Sequence, residues 1–90
     1  MKNGGTLSGS VFVFRYLPAD TYNFAVVAPK SVSKGAVGRN SLRRKGYTAI
    51  RSFAPRKGTG IFFYKKNTSK SEYKEIKDDI GVLLKKAKFI

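Results

Sequence analysis

Six cationic side chains, Lys30, Lys34, Arg39, Arg43, Arg44 and Lys45, fall within sixteen consecutive residues with no acid among them. The chemistry they support is the binding of phosphate. Arg presents a planar fork that engages two phosphate oxygens at once. A helix start near Arg39 and Asn40 would add free amides and the favourable end of a dipole. Gly35 and Gly38 let the preceding loop come close to a sugar-phosphate chain, Arg51 extends the charge one helical stretch further, and Asn40 suits either a helix cap or the reading of a base edge. A solvated basic face with no ligand would show the same residues. Parts for covalent chemistry are scarce. The chain has no His and no Cys, and four of its five carboxylates, Glu72, Glu75, Asp78 and Asp79, sit together at spacings that serve one helix. Asp78 and Asp79 are neighbours and diverge, a poor metal pair. No catalytic residue and no metal ligand is assigned.

The wider charge pattern agrees with a polyanionic partner. The 90 residues carry 19 Lys or Arg against 5 Asp or Glu, a net charge of +14. Between Thr21 and Ser71 there are twelve cations and no acid. Such a field speeds encounter with nucleic acid or an anionic membrane and opposes compaction by self-repulsion. Without His, no histidine pH switch exists. The length suits a single domain with one small core, and 41% apolar residues including twelve aromatics suffice to form it. Absence of Cys excludes disulfides, thiolate zinc sites and a cysteine nucleophile. The longest apolar runs, such as Phe24 to Pro29, are far too short to span a bilayer, no signal-peptide pattern opens the chain, and a cytoplasmic location is expected by default.

The elements that must position these residues follow from periodicity. Met1 to Ser10, with three Gly and no period of its own, reads as a flexible arm, leaving residues 11–90 as the single domain. Val11 to Leu17 and Tyr22 to Ala28 are β-branched and aromatic and flank a Pro18 to Asp20 turn, which reads as two antiparallel strands. The two-residue period puts Phe12, Phe14 and Tyr16 on one face, toward helices, and Val13, Arg15 and Leu17 on the other. Pro29 stops the second strand. A helix is expected to start between Val37 and Asn40, with Leu42, Gly46, Ala49, Ile50 and Phe53 as its apolar stripe and Pro55 as its end. Gly46 within it costs about 1 kcal/mol relative to Ala, which implies close packing at that point. Lys57 to Gly60 reads as a turn into a short, largely buried strand, Ile61 to Tyr64. Ser69 and Glu72 match a capping box for a last helix whose stripe is Tyr73, Ile76, Ile80, Leu83, Leu84 and Ala87. Its acids lie first and its lysines last, as the helix dipole favours. The fold class is α+β. No helix pairs a broad apolar face with a basic one, so membrane binding is not expected.

The run Val26 to Arg44, Val-Val-Ala-Pro-Lys-Ser-Val-Ser-Lys-Gly-Ala-Val-Gly-Arg-Asn-Ser-Leu-Arg-Arg, resembles the signature of the bacterial ribonuclease P protein subunit. In that family a basic strand end leads through a small-residue loop into an Arg-Asn-Arg helix. The later strand and terminal helix fit as well, so the resemblance covers Val11 to Ile90. It implies a small two-layer α/β sandwich, with a central, mostly antiparallel sheet of three to four strands, two helices, and an unusual left-handed crossover at the motif helix. It also implies that a large RNA with bound magnesium breaks the bond, so that the protein itself binds no cofactor, while the protein grips that RNA and the 5′ leader of precursor tRNA as a monomer in the ribonucleoprotein. Arg39, Asn40, Arg43 and Arg44 match the motif that contacts the RNA, and Lys30 and Lys34 its basic loop. Lys45 and Arg51 extend that surface, and Val13, Arg15 and Val27 match strand positions lining the leader cleft. Three features depart from the pattern. Ser41 replaces the second Arg of Arg-Asn-Arg, Tyr47 stands where the basic face often continues, and the family's N-terminal helix has no counterpart in Met1 to Ser10. A structural or ribosome-associated RNA-binding protein, with no role in cleavage, is the alternative that Ser41 and the absent first helix suggest.

Overall fold

The computed structural model describes residues 4–30, 32, 34–65 and 72–90. Four strands, β1 (Gly5–Ser8), β2 (Phe12–Leu17), β3 (Tyr22–Val27) and β4 (Gly58–Tyr64), form one sheet, covered on one face by helices α1 (Ala36–Phe53) and α2 (Tyr73–Lys86). The order across the sheet is β1, β2, β4, β3. β1 and β4 each run antiparallel to β2, whereas β3 and β4 are parallel neighbours joined through α1. Among the described residues this is the α+β sandwich expected, with four strands and two helices.

Several local expectations are corrected. β2 and β3 run in opposite directions but do not touch, because β4 lies between them and pairs with both. Residues 5–8 are a strand and not a free arm. Leu7 lies opposite Phe14 and packs on the core, so the sheet and the folded domain begin before residue 11. Gly58 to Gly60 belong to β4 and not to a turn, since the missing side chains make room for Phe14, Phe24 and Phe89. The α2 cap is Glu72, whose side chain accepts the Glu75 N–H while Glu75 Oε1 accepts the Glu72 N–H at 2.9 Å. Ser69, the expected cap, lies outside the described residues. Tyr73 leaves the core stripe and is 36% exposed.

The two-residue period explains the layers. Phe12, Phe14 and Phe62 point to the helices and are fully buried with Ile76, Ile80, Leu83 and Leu84 of α2. Each such burial contributes about 1.5–3 kcal/mol, which offsets the self-repulsion of the charge. Phe14 and Phe62, directly opposite in register, stack with ring centroids 4.1 Å apart. α1 buries Leu42, Gly46, Ala49 and Ile50 of the expected stripe, while Phe53, its last member, is half-buried against the core. A Cβ at Gly46 would sit 2.8 Å from the methyls of Val26, so the helix can only approach β3 this closely at a glycine. The buried Tyr64 hydroxyl donates to the Leu42 carbonyl at 2.7 Å, tying β4 to α1, and burial pushes this phenol well above its ordinary pKa.

One carboxylate has a role that helix periodicity hides. Asp79, 8% exposed, accepts the backbone N–H of Ser10 through Oδ1 at 2.9 Å and those of Val11 and Phe12 through Oδ2 at 3.0 and 2.9 Å. It holds the β1–β2 corner rather than serving the α2 dipole. The three donors satisfy a charge that would otherwise be costly to bury.

Candidate nucleic-acid interface

α1 sets the geometry of the cationic surface. At about 100° per residue, Arg39, Arg43, Tyr47, Asn40, Arg51 and Arg44 occupy, in that angular order, one arc of about 140° on the helix surface. The buried stripe centres about 100° away and meets the arc only at Ile50, beside Arg39 and Arg43. Tyr47, inside the arc, reaches the Val26 backbone, so the arc lies along the free edge of β3. Arg44, Asn40 and Arg51 are exposed, and Arg39 and Arg43 are half-buried at the arc's inner margin. Arg43 Nη2 donates to Asn40 Oδ1, which orients both side chains on the same ridge. Asn40 is therefore neither a cap nor at the helix start. The cap position is Gly35, which has no side-chain bond, and the Arg39 amide already bonds Gly35 O at 3.1 Å. The free amides belong to the turn before Arg39.

The preceding loop joins the ridge. Val32 is buried and its N–H closes a turn on the Pro29 carbonyl at 2.9 Å, which leaves Lys30 and Lys34 exposed on either side. Arg39 Nη1 donates to the Lys34 carbonyl at 2.8 Å, fixing the loop to the helix. Lys45 is the exception among the expected RNA-binding residues. It falls about 100° beyond Arg44, outside the arc on the other flank of α1, where it and Thr48, with Arg44 at the boundary, border a shallow depression with Tyr73 of α2. Tyr47 also has a specific task, since its hydroxyl accepts the Val26 N–H at 3.3 Å and so closes part of the β3 edge.

The sheet face away from the helices carries the second set. Pairing places Val13, Phe63 and Val27 in one row across β2, β4 and β3, and Arg15, Ile61 and Ala25 in the next. Val13, Arg15 and Val27 are thus brought together, with Arg15 and Val27 exposed. Phe63 and Ile61 complete these rows. An apolar run such as Ile61 to Tyr64 suggests burial on both sides, although the same alternation that marks Phe62 and Tyr64 as core marks Ile61 and Phe63 as open-facing. Beside Arg15, the residues Thr6, Leu17, Thr59 and Ile61 border a groove of about 460 Å³. Among the described residues, no three His, Cys, Asp or Glu side chains gather as a metal-binding group, and no helix is long and apolar enough to cross a membrane.

Solved structures share this architecture. The RNase P protein of Staphylococcus aureus superposes with a TM-score of 0.83 at 18% identity, over 96% of this chain and 83% of that one. A mutant of the Staphylococcus aureus protein with defective mRNA degradation activity gives 0.85 at 18% identity, covering 99% and 79%. The RNase P protein of Thermotoga maritima, in complex with 1-(4-fluorophenyl)-2-thiourea, gives 0.80 at 20% identity, covering 93% and 86%. No curated protein matches the chain. A model of the Ribonuclease P family matches residues 1–88. With the fold, the cationic helix and this match in agreement, the chain belongs to the Ribonuclease P family of bacterial RNase P proteins.

Proposed function

We propose that this RNase P protein grips the ribonuclease P RNA along the Arg39 to Arg51 flank of α1, with Lys30 and Lys34 extending the grip. On this reading the RNA, with magnesium bound to it, hydrolyses the precursor tRNA. The observation that carries the proposal is the gathering of Arg39, Asn40, Arg43, Arg44 and Arg51 on one arc of one helix, beside a loop whose lysines face solvent. The division of labour is supported by chemistry. The chain has no His or Cys, Glu72 and Glu75 are engaged at a helix cap, and Asp79 is engaged by three amides. These groups leave the protein poorly equipped as a general base.

The open sheet face then receives the 5′ leader. The apolar Val13, Phe63, Val27 and Ile61 on the same face as Arg15 suit a single strand, whose bases lie on apolar side chains while a phosphate meets the cation. The particle is cytoplasmic and holds one copy of the chain. Reconstitution with ribonuclease P RNA tests the reading: cleavage of precursor tRNA should accelerate and need less magnesium when the protein is added. Unchanged rate and magnesium requirement, alongside binding of some other RNA, would favour a structural RNA-binding role. Neutralising about six phosphates should give a log-log salt slope on the order of −4 to −5.

A further inference from the structure

At the far end of α1, where the ridge ends, Tyr22 and Phe24 of β3 and Pro55 meet Tyr47, Ile50 and Arg51 around a cleft of about 410 Å³. Its size lies in the range of small-ligand clefts. Its walls are held in place. Tyr47 is fixed by the Val26 N–H, and Phe24 is backed by Phe89, whose ring meets it edge-on at 5.5 Å. Tyr22, by contrast, lines the cleft while 65% exposed. An aromatic at that level of exposure on the helix-facing side of a sheet serves no core, and Arg51 at the rim continues the phosphate-binding arc directly into the cleft.

We propose that this cleft takes one unpaired base of the bound RNA, stacked on Tyr22 and enclosed by Phe24 and Tyr47, while Arg51 holds the adjoining phosphate. The inference rests on the RNA-binding reading above and adds to it a site that charge alone would not make. Charge complementarity selects a nucleic acid as occupant, since an apolar peptide or lipid tail would gain nothing from the arginine line leading to the opening. Stacking is tolerant of base identity, so the cleft should favour unpaired over paired nucleotides and show little sequence preference.

The test compares two strands of equal charge binding to the full chain: a short oligoadenylate and an abasic ribose-phosphate strand of the same length. The expected result is roughly tenfold tighter binding of the oligoadenylate, the gain typical of one stacked base. Tyr22→Ala should lower that preference without affecting the fold, Tyr22→Phe should keep it, and Arg51→Ala should weaken both strands alike. Equal affinity of the two strands, or a preference that Tyr22→Ala leaves unchanged, overturns the base site. If neither strand binds while ribonuclease P RNA still does, the base site fails alone. If that RNA fails to bind as well, both readings fall.

Discussion

Asp79 Oδ2 accepts the Phe12 N–H at 2.9 Å, joining residues 67 positions apart. The same carboxylate holds Ser10 and Val11, so one side chain of α2 sets where β2 begins. Because β2 pairs with both β1 and β4, the position of Arg15 and Val13 on the open face depends on this anchor.

Asp79→Ala should destabilise the chain by on the order of 3 kcal/mol, since it leaves buried amides without an acceptor, and Asp79→Asn should lose less. The urea unfolding midpoint measures this. A shift below about 0.5 kcal/mol in the alanine variant would show that water replaces the carboxylate at no cost.

Gly46→Ala offers two opposed effects whose sizes decide the sign. Helix propensity gains about 1 kcal/mol, while forcing a Cβ to 2.8 Å from the Val26 methyls costs about 1–3 kcal/mol. A net loss is expected, and adding Val26→Ala should relieve it. The coupling in a double-mutant cycle reads the close approach directly, and additive effects would contradict it.

Tyr64 links stability to alkaline pH. Its phenol is held neutral in the folded chain, whereas in the unfolded chain it ionises near pH 10. The contribution is therefore complete below about pH 10 and is lost as pH rises from there toward the raised folded value. Tyr64→Phe should be less stable at pH 7 by about 1 kcal/mol, having lost the bond to the Leu42 carbonyl. It should also lose less stability than the parent above pH 10. Parallel pH curves for the two proteins would count against the assignment.

Arg43→Ala and Arg44→Ala should each weaken binding to ribonuclease P RNA and lower the magnitude of the log-log salt slope by about 0.7–0.9 for every phosphate no longer neutralised. Thermal unfolding should stay unchanged. Leu83→Ala, at a site 1% exposed, should do the reverse, with a stability loss of about 2–5 kcal/mol and intact affinity at temperatures where it stays folded. Lys45→Ala, on the other flank of α1, should have a smaller effect on affinity than either arginine. An equal effect would place RNA on both flanks.

Much of this is legible in the sequence because it repeats locally. The alternation of Phe12, Phe14 and Tyr16 against Val13, Arg15 and Leu17 assigns both faces of β2, and the Leu42 to Phe53 stripe fixes which arc of α1 meets solvent. What escapes depends on partners distant in the chain. β4 lies between β2 and β3 through pairs such as Phe12 with Tyr64, and no local residue pattern announces such an insertion. The rule that sequential strands pair points instead to a hairpin. The spacing of Asp79 fits a helix charge pattern, whereas its donors lie in a corner formed by residues 10–12. β1 is hidden because Gly5, Thr6 and Ser8 make a short segment with no apolar alternation, and pairing with β2 supplies what propensity lacks. The Tyr22 cleft forms only when β3 and the end of α1 meet.

The central place of β4 also governs the order of assembly as the chain leaves the ribosome. β2 and β3 emerge with the edges that will later be bridged still vacant, and they remain so until α1 and all of β4 have been made. Closing the sheet from Phe12 to Tyr64, a span of 52 positions, makes this a slow step for so small a protein. Until then the nascent chain displays Phe12, Phe14 and Phe24 with nothing to cover them, and its high positive charge is what keeps such half-made chains apart.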